Sequence, residues 1–128
     1  MFFVYGLGKS GISVAKYFVN KKINFHCWDD AIIKRKYLKK NFKSISLVNP
    51  KKINLNNYKN IILSPGISYK TDFFKQINHQ RKRFKRDLNI YWENIKNKKI
   101  IAITGTNGKS TTTKLIGNLL VNNNCHTF

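Results

Sequence analysis

Two glycine-rich segments carry the residue types that hold phosphate. Gly6-Leu7-Gly8-Lys9-Ser10-Gly11 fits G-x-G-x-x-G and lies between an apolar run and a helical pattern. Glycines so placed allow a tight turn, close approach of backbone to a phosphate, and close packing of helix on strand. The helix N-terminus behind them offers unpaired N–H groups and a positive dipole to an anion. Asp29, at the tip of the next apolar run, stands where such folds contact a ribose or a base. The second segment is Gly105-Thr106-Asn107-Gly108-Lys109-Ser110-Thr111, after Ile100-Ile101-Ala102-Ile103 and before another helical pattern. In a phosphate loop of this kind the backbone amides cradle phosphates. Lys109 would reach the terminal ones and the Ser110 hydroxyl could ligate Mg²⁺. The segment departs from G-x-x-x-x-G-K-[ST], because Ile103 occupies the first glycine position.

Elements that could position these loops are legible around them. Phe2-Phe3-Val4-Tyr5 reads as a buried strand stopped by Gly6. Ile12, Ala15, Phe18 and Val19 share one face of a helix over 10–20, and Ile23–Trp28 alternates as a second strand ended by Asp29-Asp30. The order β-α-β demands a parallel pair. Further along, 31–40 predicts a basic helix, 44–48 a short strand, 49–60 a loop and 60–63 a buried strand cut by Ser64-Pro65-Gly66. A helix over 71–80 would turn Phe73, Phe74 and Ile77 inward. The basic run 80–86 reads as a solvated face or edge strand, with a surface anion patch as the alternative. Asp87 would N-cap a helix over 88–95. After a linker at 97–99, Ile100–Ile103 reads as the clearest buried strand, 109–121 as a helix, and 125–128 as the start of a further strand. The expected fold class is therefore α/β: a Rossmann-like, mostly parallel sheet over 1–96, followed over 97–128 by the first βα unit of a P-loop domain.

Composition narrows the function classes. The 128 residues hold 25 Lys+Arg against 5 Asp+Glu, a net charge of +20. Such a balance raises nucleic acid as a partner. Here, however, the basic residues are dispersed, and Lys, Asn and Ile together supply 54 of 128 positions. AT-rich codons account for that bias without a polyanion, so neither nucleic acid nor membrane is expected as a partner. No apolar run approaches the ~18 residues of a membrane span. The start of the chain lacks the basic n-region and cleavage site of a signal peptide. Two cysteines far apart, Cys27 and Cys125, disfavour a disulfide scaffold and suit a reducing cytoplasm. The pairs His26-Cys27 and Cys125-His126 are a weak metal-site idea, since zinc modules use other spacings.

The run Ala102–Thr111 resembles the ATP loop of the Mur ligases and folylpolyglutamate synthetases, which use Thr-Gly-Thr-Asn-Gly-Lys in place of the general motif. Tyr5–Ser13 and Ser64-Pro65-Gly66-Ile67 resemble the Mur ligases that add D-glutamate. The resemblance implies an amide-forming ligase of peptidoglycan precursor synthesis. ATP would phosphorylate the carboxylate of UDP-N-acetylmuramoyl-L-alanine to an acyl phosphate, which the D-glutamate amine then attacks. It implies ATP and Mg²⁺ as cofactors, a cytoplasmic monomer, and a UDP site lined by Gly6, Leu7, Gly8, Ser10, Gly11, Asp29, Ser64, Pro65 and Gly66. ATP would lie on Gly105, Thr106, Asn107, Gly108, Lys109, Ser110 and Thr111, with Lys109 catalytic and Ser110 on Mg²⁺. Asp87 matches the aspartate of the family's Gly-Asp-Ile-Glu segment, but Arg86 replaces its glycine and Asn89 its glutamate. Asp30 and Ala31 stand where the family often has a basic residue. No acid follows Glu93, so the family's further Mg²⁺ ligands and amino-acid site would lie beyond Phe128. The expectation is an N-terminal piece that is inactive alone. A dinucleotide-dependent oxidoreductase is the rival reading of Gly6–Gly11 and Asp29; it leaves the second loop unexplained. The other rival is a basic nucleic-acid module, which needs exposed interleaved aromatics.

Overall fold

The computed structural model describes residues 1–77, 79–95 and 97–125. They divide into two compact units, 1–96 and 97–128. The first is a five-stranded sheet in which every neighbouring pair runs parallel. Its elements are β1 (Phe2–Tyr5), α1 (Lys9–Asn20), β2 (Phe25–Trp28), α2 (Ile32–Asn41), β3 (Ser46–Leu47), β4 (Asn60–Leu63), β5 (Phe84–Lys85) and α3 (Asp87–Asn94). The strand order is β3-β2-β1-β4-β5. The chain steps outward from β1 to β3, then crosses to the other side of β1 and continues to β5. The order therefore reverses between β1 and β4, and ligands of open α/β sheets bind outside the strand C-termini at such a point.

Period-two alternation sends neighbouring strand residues to opposite faces, and both faces are covered. Val4, Cys27 and Ile62 pack with Val14, Ala15 and Phe18 of α1, Leu38 of α2 and Ile90 of α3. Phe3, Ile61 and Leu63 pack with Leu55, Tyr58, Phe74 and Ile77 on the other face. That second layer is built from 3₁₀ turns at Leu55–Asn57 and Asp72–Ile77. The helix expected over 71–80 is thus corrected to a 3₁₀ segment. Phe74 and Ile77 are buried as predicted, but an i, i+3 pair satisfies a period of 3.0 as well as 3.6. The N-cap of α3 is Arg86, with Asp87 at the first helical position. The Asn89 Oδ1 accepts the Arg86 N–H at 2.7 Å and closes the helix start in place of Asp87. The basic run ends in edge strand β5, the expected bland reading.

The second unit holds α4 (Lys109–Asn122). Ile100–Ile103 is not a strand: Ile100 and Ile101 are 44% and 58% exposed, and no described segment pairs with them. Apolar β-formers make a strand only when another backbone supplies the ladder. Leu115, Leu119 and Val121 of α4 are likewise exposed. A strand start at 125–128 lies outside the described residues beyond Cys125.

His26 and Cys27 point to opposite faces of β2. The His26 Nδ1 meets the Tyr58 hydroxyl at 2.7 Å, while Cys27 lies in the helix-side core. They cannot share a metal. Burial pushes the Cys27 thiol up to about 12, against a small pull from Lys39. We expect iodoacetamide to label Cys125 in the native protein and Cys27 only on unfolding, read by peptide mass mapping. Phe3→Ala, at a fully buried β1 position, should cost about 3–5 kcal/mol in denaturant unfolding. Leu119→Ala should stay within about 0.5 kcal/mol.

Candidate functional site at the switch point

Gly6 ends β1 with φ +93°, a conformation that disfavours any side chain. Its N–H donates to the Trp28 carbonyl at 2.8 Å, and its own carbonyl accepts the Ser64 hydroxyl at 2.8 Å. A Cβ on Gly6 would meet Ser64 Cβ and Oγ at 2.8 Å, and one on Gly11 would overlap the Gly6 carbonyl. The two glycines thus let α1 start directly against the strand end. The first helical hydrogen bond runs from Ile12 N–H to Gly8 O at 2.9 Å. The amides of Lys9, Ser10 and Gly11 precede it and have no intrahelical acceptor. Ser10 is half-buried in this first turn.

Asp29 braces the loop from β2. Its Oδ2 accepts the Leu7 N–H at 2.6 Å and the Lys34 ammonium at 3.2 Å, and its Oδ1 accepts the Ala31 N–H at 2.8 Å. Burial alone would push this carboxyl up. The hydrogen bonds from Leu7, Ala31 and Lys34 outweigh it and hold the group below its ordinary 3.8. Around it, Arg35 donates to the Asp29 and Asp30 carbonyls at 2.5 and 2.8 Å and stacks on Trp28, 4.3 Å from the ring centre. Asp30 accepts from the Tyr5 hydroxyl at 2.8 Å and Trp28 Nε1 at 3.2 Å. The structure therefore brings Gly6, Leu7, Gly8, Ser10, Gly11, Asp29 and Ser64 together. Pro65 and Gly66 are exposed on the turn beyond Ser64. Sequence reasoning saw Asp29 as a ligand-facing acid and missed its inward hold on Leu7. The available signal was an acid at a strand tip level with a Gly-x-Gly amide.

In the second unit Gly105 and Gly108 have φ +149° and +77°, and Gly108 caps α4 without a side-chain hydrogen bond. The Lys109 ammonium donates to the Gly105 carbonyl and to the Thr106 carbonyl, the latter at 3.2 Å. It therefore lies within the loop formed by 105–108. Thr106, Asn107, Ser110 and Thr111 are exposed. Ser110 offers one hydroxyl, which fits a single Mg²⁺ ligand alongside phosphate oxygens and water.

A family model described as Mur ligase MurD-like, N-terminal domain matches residues 1–84. The chain belongs to the Mur ligase family. It is 38% identical over 122 residues to the UDP-N-acetylmuramoylalanine–D-glutamate ligase of Wolbachia sp. subsp. Brugia malayi, covering 91% of this chain and 24% of that relative. The enzymes of the same name in Rickettsia bellii and Coxiella burnetii are each 34% identical. These cover 94% and 89% of this chain and 26% of each relative. The chain spans about a quarter of the length of these curated Mur ligase relatives.

The Asp29 geometry sets a pH dependence. Its folded pKa lies below the unfolded value, so in the interval between them the unfolded chain binds more protons. The stabilisation is complete above about pH 4 and is lost as pH falls through the folded value. Asp29→Asn should lower stability at neutral pH by about 1–3 kcal/mol. It should also flatten the acid limb of the melting temperature, leaving the surface contribution of Asp72, held low by Lys75. Gly11→Ala should cost about 1–3 kcal/mol or more through the overlap with Gly6.

Proposed function

We propose that residues 1–96 bind the UDP-linked substrate of a ligase that joins D-glutamate to UDP-N-acetylmuramoyl-L-alanine, and that 97–128 contribute its ATP loop. The observation that supports this is the braced loop at the switch point: Asp29 fixes Leu7, Ser64 fixes Gly6, and the amides opening α1 have no intrahelical acceptor, which suits an anion such as a pyrophosphate. Membership of the Mur ligase family and the names of the relatives favour the UDP-muramoyl ligand over other nucleotides. Gly6, Leu7, Gly8, Ser10 and Gly11 form the anion cradle, Ser64, Pro65 and Gly66 its opposite wall, and Asp29 acts by positioning Leu7.

In the second unit the amides of 105–111 and the Lys109 ammonium would bind the triphosphate, with Ser110 on Mg²⁺. When bound, ATP supplies the phosphoryl group that activates the substrate carboxylate. Lys109 would neutralise charge growing on the transferred group, the main protein contribution in phosphoryl transfer. The oxidoreductase reading is the weaker one. It leaves the second glycine-rich loop, 105–111, without a role.

Calorimetric titration of the full chain with UDP-N-acetylmuramoyl-L-alanine and with NAD is the test. Saturable binding of the first and none of the second is expected, with the first weakened in Gly11→Ala. NAD binding with no response to the UDP-muramoyl ligand would overturn the proposal.

A further inference from the structure

Arg86 replaces a glycine of the family's pattern, yet the fold gives it a definite place. It follows β5, and its Nη1 donates to the carbonyls of Ser64 at 2.5 Å and Leu63 at 3.2 Å. Ser64 in turn holds the Gly6 carbonyl. The guanidinium therefore lies against the C-terminal end of β4 at the switch point, one residue removed from the glycine loop. It is half-buried, and among the described residues no carboxylate pairs with it and neither Nε nor Nη2 makes a hydrogen bond.

The other arginines on this sheet differ. The Arg83 Nη atoms are occupied by Gln80, Asn56 and the carbonyls of Leu55 and Tyr58. Arg35 lies over the Trp28 ring with its Nη1 on the Asp29 and Asp30 carbonyls. Arg35 also leaves Nε and Nη2 without hydrogen bonds among the described residues, but it lies beyond the tip of β2, whereas Arg86 sits at Ser64, whose hydroxyl bonds the Gly6 carbonyl of the glycine loop.

We propose that Arg86 is a ligand-binding residue of this crevice, taking the pyrophosphate of a nucleoside diphosphate from the side facing the glycine loop. The inference rests on the substrate-binding reading of residues 1–96. Nη1 stays on Ser64 and fixes the fork, while the remaining donors and the charge meet the phosphate oxygens. The chain then reads the diphosphate from two sides, by backbone amides on α1 and by a side chain on the β5–α3 connection.

The test is calorimetric titration of the full chain with UDP and with uridine, at about 0.15 M salt to screen the general positive charge. The variants are Arg86→Ala, Arg86→Gln, which keeps a polar donor and most of the side-chain bulk but has no charge, and Lys21→Ala at the far end of α1. Both Arg86 variants should bind UDP roughly ten- to a hundredfold more weakly and uridine within about twofold of wild type. Lys21→Ala should bind both as wild type does. If Arg86→Ala fails to fold, Arg86→Gln decides. UDP affinity that is unchanged or tighter in Arg86→Gln overturns the inference and leaves the substrate-binding reading standing. Equal loss of UDP and uridine overturns it in favour of a purely structural role. Absence of any UDP binding by wild type overturns both.

Discussion

One buried carboxylate fixes the end of the sheet that matters. The Asp29 Oδ2 at 2.6 Å from the Leu7 amide ties the tip of β2 to the loop leaving β1. A glycine-rich turn is favoured by its freedom and costs more entropy to order than any other sequence. Left alone, Gly6-Leu7-Gly8 would sample many conformations. Asp29 from one side and Ser64 from the other restrict them to the turn that leads directly into α1. The carboxylate tolerates burial because three donors surround it.

The charge imbalance shapes how that frame is held. With five acids in the chain, the few basic side chains that make hydrogen bonds among the described residues do so largely to backbone oxygen. Arg35 holds the carbonyls of Asp29 and Asp30, Arg83 those of Leu55 and Tyr58, Arg86 those of Leu63 and Ser64, and Lys39 that of Ile45. These bonds seal the ends of strands and 3₁₀ turns, where main-chain acceptors would otherwise lack partners. A composition that suggested a polyanion partner is in part a set of internal braces. The two ion pairs among the described residues, Lys34–Asp29 and Lys75–Asp72, are minor beside them.

The legible parts of the fold were those whose signals are local. β1 and β4 match their apolar runs residue for residue, and α1 follows its 3.6-residue face, because burial on both sides of a parallel strand leaves a continuous apolar stretch. The glycine loop was legible as the tight turn from β1 into α1. What sequence could not supply was direction. Asp29 turns toward Leu7 instead of outward, and Arg86 reaches across from β5, both through contacts between distant residues. Ile100–Ile103 failed for a related reason: its apolar pattern specifies a strand, but a strand needs a partner backbone, and none of the described segments provides it.

The most direct measurement of this account is the amide spectrum of the ¹⁵N-labelled chain, wild type against Asp29→Asn, with and without UDP. A charge-assisted acceptor 2.6 Å from Leu7 predicts a downfield, exchange-protected Leu7 amide in wild type. That amide should move upfield and lose protection in Asp29→Asn, and the shift changes that UDP induces across 6–11 should weaken with it. A Leu7 amide unaltered by the substitution, with UDP shifts over 6–11 unchanged, would contradict the claim that this carboxylate builds the site.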